Sequence, residues 1–420
     1  WSGASYAWDS LHTFLPLVRF GHADRLRAAQ DKLIGDLAAS ARPFINFAWD
    51  QRCDGGCGRY DDERHETAAG IAQAWAMLFA ADLAGDDAWR ARHVIPQIVR
   101  LARSLRDGLE RDGAVWRKPP TYTDAAGQHI ILRSVESDRR PAWYSDLAFA
   151  LRWLFAEAAA SGGCDAAESV ALRALAAAID VPVAGEHYSF WHGDGFPDVP
   201  WNGWGKKRWN HHPALVAAWP FTVGVGDARV ARSLMFPPRQ PIENADLHGG
   251  YPLTQCLAAA RLGLGAGLAE LLERTGTWCG LSAKLDVARH VSVSDNDSFL
   301  MSYTMWPLIA AEAALGVHDG RVALLPALPP AWRDGALAFD ALPITGGGTA
   351  RLAYRDGRAE VELRPGRDGP LTITAPPWLR FAQSGAARDR DPAGDAGEGQ
   401  PWALTVNATR GEPIALQLVR

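Results

Sequence analysis

Apolar residues recur at helical spacing through the chain up to about residue 318, and at alternating spacing after it. Blocks rich in Ala, Leu and Arg with few β-branched runs are typical of amphipathic helices. The pattern predicts helices over Ala23–Ala39, Thr67–Leu83, Ala88–Leu109, Asp146–Ala160, Ala166–Ala178 and Phe299–Leu315. We therefore predict a mainly α protein, with a helical domain over residues 1–318.

The short joints between these helices share one form, in which a glycine is followed by a few polar residues and a new Ala-rich helix. Glycine adopts the left-handed conformation that ends a helix, and Asp often caps the helix that follows. Such joints begin at Gly21, Gly85, Gly163, Gly226 and Gly265. They predict a series of αα-hairpins.

Longer loops rich in Trp, Gly, Pro and His alternate with the tight joints, over roughly residues 46–65, 113–142, 186–212, 236–250 and 278–298. Short turns on one rim and long loops on the other are typical of an (α/α)6 barrel, in which an outer ring of helices encloses an inner one. An α-solenoid uses the same hairpins, but it shows a fixed repeat period, which this chain lacks. We predict the barrel, with a cleft on its long-loop rim.

The pattern changes after Gly316. Three prolines between residues 321 and 330 exclude a continued helix. Alternating residues on both sides of an Asp-Gly turn predict a hairpin, and two later runs predict further strands. The segments concerned are Thr349–Tyr354 with Ala359–Leu363, then Leu371–Ala375 and Pro413–Val419, with a polar surface loop over Ser384–Gln400. Residues 319–420 are predicted to form a small antiparallel, sandwich-like β-domain that braces the barrel.

Composition narrows the class of protein. The chain has 420 residues, 43 Lys and Arg against 48 Asp and Glu, and 48% hydrophobic residues. These values are typical of a globular protein with no electrostatic footprint for nucleic acid. No run of about 18 apolar residues is available to span a membrane. We therefore expect neither nucleic acid nor a membrane as partner, and the oligomeric state stays open.

Neither the start of the sequence nor the cysteines indicate in which cellular compartment the protein works. The sequence begins at Trp1 without a recognisable signal peptide, so we expect a leader or an N-terminal region to precede it. Five cysteines are an odd number, which leaves at least one unpaired in an exported protein. Cys53 and Cys57 suit a small disulfide loop or two thiols. A metal site with His65 and Glu66 is the alternative, but no second ligand pair has metal spacing, and we predict no metal and no cofactor.

Four acidic residues stand outside the predicted helices, in segments that also hold aromatic or polar residues. Asp9 precedes the first helix, where it also suits an N-cap. Asp124 follows a stretch that two prolines hold extended, where an isolated Asp also suits a turn. Asp295 and Asp297 precede the last helix, either as caps or as a buried acid pair. These four residues are the candidate catalytic groups.

Tryptophan is unusually frequent, with 18 residues, and it clusters in one irregular polar segment. A Trp ring offers a flat apolar face and one N–H donor, which suits stacking on sugar rings. Four Trp between residues 191 and 209 are too many for the core in such a segment. The candidate substrate-binding residues are Trp8, Tyr122, Trp201, Trp204, Trp209, Asn210, His211 and His212.

Carboxylates on separate loops around one cleft suit glycoside hydrolysis. One is protonated and donates to the leaving oxygen, while the other is ionised and activates water. An inverting enzyme holds them roughly 6.5–9.5 Å apart to admit that water. The chain has no nucleophile-elbow, phosphate-loop or dinucleotide motif that would favour another chemistry.

The order of these motifs resembles glycoside hydrolase family 95, the α-L-fucosidases and α-L-galactosidases, and their α/α-barrel relatives. The strongest match runs from Asp295-Asn-Asp-Ser-Phe299 through a helix to the His318-Asp-Gly-Arg-Val-Ala-Leu-Leu-Pro-Ala-Leu-Pro-Pro-Ala-Trp332 stretch. Further matches are Arg208-Trp-Asn-His-His-Pro-Ala-Leu-Val-Ala-Ala-Trp-Pro220, Pro119-Pro-Thr-Tyr-Thr-Asp124 and the segment Ser5–Pro16. The resemblance covers most of residues 1–335 and implies an N-terminal β-domain ahead of Trp1.

The resemblance implies a general acid at Asp124, where the family has Glu. The family's Asn-x-Asn pair, which helps to activate water, becomes Ala7-x-Asp9. We therefore predict an inverting exo-glycosidase whose base is Asp295 or Asp9, with Asp297 positioning one of them or the sugar.

Two other functions stay open at this point. A polysaccharide lyase on the same barrel would use Asn210 to neutralise a uronate, and His211 or Tyr122 to remove the C5 proton. Its basic cleft would draw on Arg139, Arg140, Lys206, Lys207 and Arg208. The second alternative is a sugar-binding barrel without catalysis.

Overall fold

The structure is a computed structural model. It describes residues 4–5, 14–28, 31, 51–52, 64–112, 115–117, 121–123, 129–133, 143–179, 181, 183–184, 186–188, 191–192, 217–235, 251–278, 300–382 and 401–420. Helical residues 14–19 and 23–28 come first. The later helices are α1 (Thr67–Ala84), α2 (Asp87–Trp89, a π-helical turn Arg90–Val94, and Ile95–Asp107), α3 (Ser145–Ala160), α4 (Ala166–Ala178), α5 (Ala228–Leu234), α6 (Tyr251–Arg261), α7 (Gly265–Trp278) and α8 (Leu300–Ala314).

The helices predicted from apolar spacing are confirmed to within about two residues over the described part of the chain. Aspartate caps also form as expected: the carboxylates of Asp86, Asp165 and Asp227 accept hydrogen bonds from backbone N–H groups in the first turns of α2, α4 and α5. The predicted helix Ala23–Ala39 is described for residues 23–28 and 31, and its remainder lies outside the described residues.

The left-handed glycines are confirmed at three predicted joints, Gly21, Gly85 and Gly226. At the other two joints the prediction is one or two residues off, since Gly162 and Gly263 have the positive φ. Gly163 packs against α2 instead. A Cβ on Gly265 would lie 2.7 Å from the carbonyl oxygen of Leu328, so this glycine allows α7 to start against the β-domain.

The helices fall into two layers. Side chains of α1, α3, α6 and α8 are buried on nearly all sides, as expected of inner helices. By contrast, α2, α4 and α7 bury one face and expose the other. Inner α1 packs on inner α3, inner α6 packs on inner α8, and α4 and α7 each pack beside the inner helix that precedes them. This alternation is that of stacked αα-hairpins, and closure into a complete (α/α)6 barrel remains a prediction.

Short strands stand between the helices. They are β1 (Ala4–Ser5), β2 (Gln51–Arg52), β3 (Arg64–Glu66), β4 (Glu110–Asp112), β5 (Val115–Arg117), β6 (Thr121–Thr123), β7 (His129–Arg133), β8 (Trp143–Tyr144), β9 (Val183–Ala184), β10 (His187–Tyr188) and β11 (Trp191–His192). Strand β7 joins β3 in parallel and β6 antiparallel, while β1–β2, β4–β5, β9–β10 and β8–β11 form antiparallel pairs.

The C-terminal part of the chain forms two sheets. Its strands are β12 (Leu315–His318), β13 (Arg321–Leu324), β14 (Ala336–Ile344), β15 (Gly348–Arg355), β16 (Arg358–Arg364), β17 (Gly369–Ala375), β18 (Arg380–Phe381), β19 (Trp402–Ala408) and β20 (Ile414–Val419). The orders are β12-β13-β17-β19 and β14-β15-β16-β20-β18.

The predicted hairpin is confirmed as β15–β16, with Asp356 and Gly357 both at positive φ in the turn. The later strand predictions are confirmed as β17 and β20. The expectation of a purely antiparallel domain is wrong in one place, since β13 and β17 pair in parallel. The long connection through β14–β16 allows this, because it returns the chain to the first sheet in the same direction. The predicted loop Ser384–Gln400 lies outside the described residues.

The helices and the β-sheets share one continuous hydrophobic core. The turn between α1 and α2 docks on the turn between β14 and β15. There, a Cβ on Gly347 would lie only 2.8 Å from the Cα of Gly85, so the two backbones approach more closely than side chains allow. Both glycines have positive φ. Within the described residues, no helix combines the length and apolar character needed to cross a membrane.

A buried ionic network ties the parts together. The Glu312 carboxylate on α8 accepts hydrogen bonds from Arg19 Nε at 3.2 Å and from Arg261 Nε and Nη2 on α6 at 3.1 and 2.9 Å. Arg19 also donates to the carbonyl oxygens of Pro343, at 2.6 Å, and of Leu315. All three ionic side chains are fully buried. Burial lowers the pKa of Arg19, and the neighbouring Glu312 opposes that effect.

Candidate functional site

The carboxyl ends of the inner helices converge on one cavity. It is lined by Asp82 near the end of α1, Glu157 near the end of α3, Arg261 at the end of α6 and Val317 just after α8. Because these four helices end at the same cavity, they run in the same direction, and their amino-terminal ends lie at the opposite end of the bundle. Helix α1 has 18 residues, so its two ends lie about 27 Å apart.

The opposite, amino-terminal end of the inner helices carries the short strands that precede α1 and α3. Strand β3 leads directly into α1, and strand β8 leads directly into α3. Strand β8 pairs with β11, which places Trp191 beside Tyr144 at this end. The sheet β3–β7–β6 attaches the loop that follows α2 to the start of α1.

Among the predicted site residues, Tyr122 alone falls on a described strand. It lies in β6, where its backbone pairs with Ile130 of β7. The exposed Thr123 ends this strand, and Asp124 is the next residue in the chain. Outside the described residues lie Trp8, Asp9, Asp124, Trp201, Trp204, Trp209, Asn210, His211, His212, Asp295 and Asp297.

The cysteine alternatives are not resolved. Cys53, Cys57 and Cys279 lie outside the described residues, whereas Cys164 is a free thiol and Cys256 is buried in the core. Among the residues that the structure describes, no group of three or more His, Cys, Asp or Glu side chains is arranged to hold a metal ion.

The cavity at the carboxyl end is polar, with an aromatic wall, and has a volume of about 200 Å³. The rings of Trp75 and Phe79 stack with centroids 4.9 Å apart, and Trp153 closes the wall from α3. Trp75 precedes Asp82 by seven residues, so the cavity reaches about 10 Å along α1 from its mouth. The sequence pattern assigned Trp75 and Trp153 to the core, and both are more than 90% buried.

Three carboxylates meet around the cavity. Burial raises the pKa of Glu157, and the neighbouring Asp319 and Asp82 raise it further, while Arg90 opposes them. Burial also acts to raise the pKa of Asp319, but His318, the Thr222 hydroxyl and Arg261 outweigh it, so that pKa is lowered. Glu157 therefore holds a proton more readily than Asp319 does.

The Asp319 carboxylate is held in place by its neighbours. Thr222 Oγ1 donates to Asp319 Oδ1 at 3.1 Å, and both residues have a positive φ. Nδ1 of His318 lies 3.5 Å from Asp319 Oδ2 without hydrogen-bond geometry. The mouth of the cavity is open, since the Asp319 and Arg367 side chains are more than half exposed.

Several buried N–H groups around the cavity have no hydrogen-bond partner. These atoms are Nε of Arg90, Nη1 of Arg261 and Nδ1 of His318. Buried donors are normally satisfied, so atoms left without partners mark a place where a ligand or ordered water completes the site. Arg261 Nη1 is the strongest case, because the rest of its guanidinium is held by Glu312 and stacks 4.7 Å from the Trp219 ring.

Sequence reasoning missed this cavity. Its signal in the sequence is an acidic residue near the end of two Ala-rich helices, Asp82 in α1 and Glu157 in α3. Such charges suggest solvent-exposed helix ends when they are considered one at a time. Only the convergence of the helix ends shows that they face one another.

Comparison with known proteins supports the fold class. No family model matches the chain, and no curated protein matches it in sequence. Its fold is similar to a solved structure described as "Putative kojibiose phosphorylase from human microbiome", with a TM-score of 0.53 and 10% sequence identity. The match covers 98% of this chain, which spans 61% of the length of that one.

At this identity the likeness is one of fold. It supports a fold of the α/α-barrel glycosidase-like class and not glycoside hydrolase family 95 in particular.

Proposed function

We propose that the chain is a carbohydrate-active enzyme that cleaves a glycosidic bond with inversion, at the long-loop end of the inner helices. The observation that carries the proposal is the common direction of α1, α3, α6 and α8, inferred from their carboxyl ends. It supports a shared location for the segments that precede these helices, and these segments hold three of the four candidate acids, Asp124, Asp295 and Asp297. The similarity in fold to a carbohydrate-active enzyme supports the same class of reaction.

Chain length restricts where the candidate acids can lie. An extended chain advances at most about 3.6 Å per residue, so Asp297 lies within about 11 Å of Leu300 at the start of α8, and Asp295 within about 18 Å. Asp124 directly follows Thr123 of β6, whose sheet leads into α1. These maximum distances are compatible with the separation of the acid and base carboxylates in an inverting enzyme, which leaves room for the substrate and one water molecule.

The proposed roles follow from the chemistry. Asp124 donates a proton to the leaving oxygen, a role that requires the pKa of a carboxyl group to be raised by its surroundings. Asp295 or Asp9 removes a proton from the attacking water, and Asp297 positions that base or the sugar. Hydrolysis breaks the bond between the anomeric carbon and the leaving oxygen, and water supplies the new hydroxyl on the opposite face.

Phosphorolysis is the second candidate, because the structural neighbour is described as a phosphorylase. In that reaction inorganic phosphate attacks the anomeric carbon in place of water, and a sugar 1-phosphate is released. One general acid is then sufficient, since phosphate needs no activating carboxylate. Asp124 keeps its role under this alternative, while Asp295 and Asp9 become dispensable as bases.

A substrate screen tests the proposal. The protein is incubated with aryl glycosides and with plant and algal oligosaccharides, with and without inorganic phosphate, and the anomeric products are followed by NMR. We expect phosphate-independent release of a sugar with inverted anomeric configuration. A sugar 1-phosphate that appears only with phosphate selects phosphorolysis. An unsaturated product, detected by its ultraviolet absorbance, selects a lyase and contradicts both.

A further inference from the structure

We infer that the cavity at the carboxyl ends of α1, α3 and α6 is a second binding site, for a neutral sugar of monosaccharide size. It lies at the end of the inner helices opposite to the loops that carry the proposed catalytic residues. The inference does not depend on the proposed function.

The size of the cavity points to a small ligand. Its volume of about 200 Å³ is far above the roughly 10–15 Å³ that one water molecule requires. It is below the roughly 300–1,000 Å³ typical of sites for drug-sized molecules. The open mouth beside Asp319 and Arg367 provides an entry from solvent.

The polar lining contains both donors and acceptors. Arg90 Nε and Arg261 Nη1 are buried donors without partners. Asp82, Glu157 and Asp319 supply carboxylate oxygens in the same lining. Sugar hydroxyls donate and accept at once, so a sugar matches both sets. An anion would satisfy the arginines but would face three carboxyl groups, which disfavours it.

The apolar lining supports the same ligand class. Trp75, Phe79 and Trp153 present aromatic surface next to the charged groups. Aromatic rings pack well against the C–H faces of a sugar. The hydroxyl groups at the edge of the sugar ring then stay free for hydrogen bonds.

Arg90 provides the sharpest test. It lies in the π-helical turn of α2, which faces its guanidinium to the cavity, whereas Arg92 in the same turn is exposed and outside the lining. Binding of D-glucose, D-galactose, D-mannose, D-xylose, L-fucose and L-rhamnose is measured by titration calorimetry. The proteins compared are the unmodified chain, Arg90→Ala, Arg90→Lys and the control Arg92→Ala, each checked for folding by thermal denaturation.

We expect at least one of these sugars to bind the unmodified chain and the Arg92→Ala control equally. Arg90→Ala should bind it about tenfold more weakly, because a charge-assisted hydrogen bond is lost. Arg90→Lys should bind it weakly as well, because lysine keeps the charge but not the Nε donor.

Three results would overturn the inference. In the first, none of the six sugars binds. In the second, a sugar binds with the same affinity in Arg90→Ala and in Arg92→Ala. In the third, inorganic phosphate alone binds, and Arg90→Lys retains that binding, which would make the cavity an anion site.

Discussion

Arg261 and Glu312 form a fully buried ion pair between two inner helices, with contacts of 2.9 and 3.1 Å, and Glu312 also pairs with Arg19. Two arginines therefore depend on one carboxylate. Replacing Glu312 by Ala leaves both cations buried without a counter-charge, and we expect a loss of about 3–5 kcal/mol in the free energy of unfolding. Chemical denaturation measures the change.

The matched control for this prediction is Asp334→Ala. Asp334 pairs with Arg420 at 2.8 Å, but both side chains are largely exposed. Exposed pairs contribute little, so the control should change the unfolding free energy by no more than about 0.5 kcal/mol. Equal losses in the two variants would contradict the role of Glu312.

Gly347 should not tolerate a side chain. A Cβ at this position would lie 2.8 Å from the Cα of Gly85, and the residue has a φ of 78°. We expect Gly347→Ala to lower the unfolding free energy by about 2–4 kcal/mol, from backbone strain together with overpacking. Gly411 has the same φ with nothing within 4 Å, so Gly411→Ala should show the strain alone. Thermal denaturation separates the two, and similar Tm values would exclude the close approach.

Glu168 should stabilise the protein in a pH-dependent way. Arg103 of α2 binds its carboxylate through two hydrogen bonds of 2.6 and 2.7 Å and lowers the pKa of Glu168 to about 2. A lowered pKa stabilises the fold above the ordinary value of 4.5, and this contribution disappears as the pH falls toward 2. Glu168→Gln should cost about 1 kcal/mol at neutral pH, because Arg103 is partly exposed.

Stability curves of Glu168→Gln and the unmodified chain, recorded by denaturation between neutral and acidic pH, should converge below about pH 4.5. Glu362→Gln is the control, since its pair with Arg364 lies exposed on a single strand. That variant should show little difference at any pH. If the difference in stability between Glu168→Gln and the unmodified chain stayed constant down to the lowest pH, the salt bridge with Arg103 would not be the source of that difference.

Glu157 should have the opposite effect on stability. Burial and the carboxylates of Asp319 and Asp82 raise its pKa, so ionisation of Glu157 destabilises the folded chain. This cost is fully present above the raised pKa and absent below the ordinary value of 4.5. Glu157→Gln should therefore raise Tm at neutral pH, with a gain that vanishes in acid. A lower Tm at neutral pH would show that the ionised carboxylate is stabilising.

The proposed catalytic acids predict a kinetic pattern. On whichever substrate the screen identifies, Asp124→Asn and Asp295→Asn should each reduce kcat by about 10²–10⁴-fold, because each removes one proton-transfer step. Asp24→Asn, at an exposed position on the N-terminal helix, is the control and should keep full activity. Full turnover in both test variants would remove these residues from the mechanism. Loss in Asp124→Asn alone would favour phosphorolysis.

Local features of the fold were predictable from the sequence, because short-range interactions decide them. Helices α1 and α4 appear within a residue of the apolar blocks that predicted them, since helical spacing and alanine content act over one or two turns. The Asp356-Gly357 hairpin turn likewise follows from its own residues. The joints at Gly162 and Gly263 show the limit of such local predictions, which placed them at Gly163 and Gly265. Where two glycines lie close together in the sequence, either can adopt the positive φ.

The candidate site was predictable only as a set of loop residues. Asp124, Asp295 and the tryptophans of residues 201–209 were chosen for their residue type and their place in irregular loop segments. The common direction of the inner helices supports one location for the loops, but distances among these side chains remain a prediction. No local pattern reports the separation of two carboxylates on different loops.

Long-range geometry was decided by the tertiary structure alone. The parallel pairing of β13 with β17, the contact of Gly85 with Gly347 and the cavity shared by Asp82, Glu157 and Asp319 each join residues far apart in the chain. The sequence by itself determined helices α1 to α4 and α8 and strands β15, β16, β17 and β20, but not the short strands between the helices. It also predicted which class of chemistry the loops suit. Which charges become buried partners depends on how those segments pack, since burial and proximity are properties of the assembled chain.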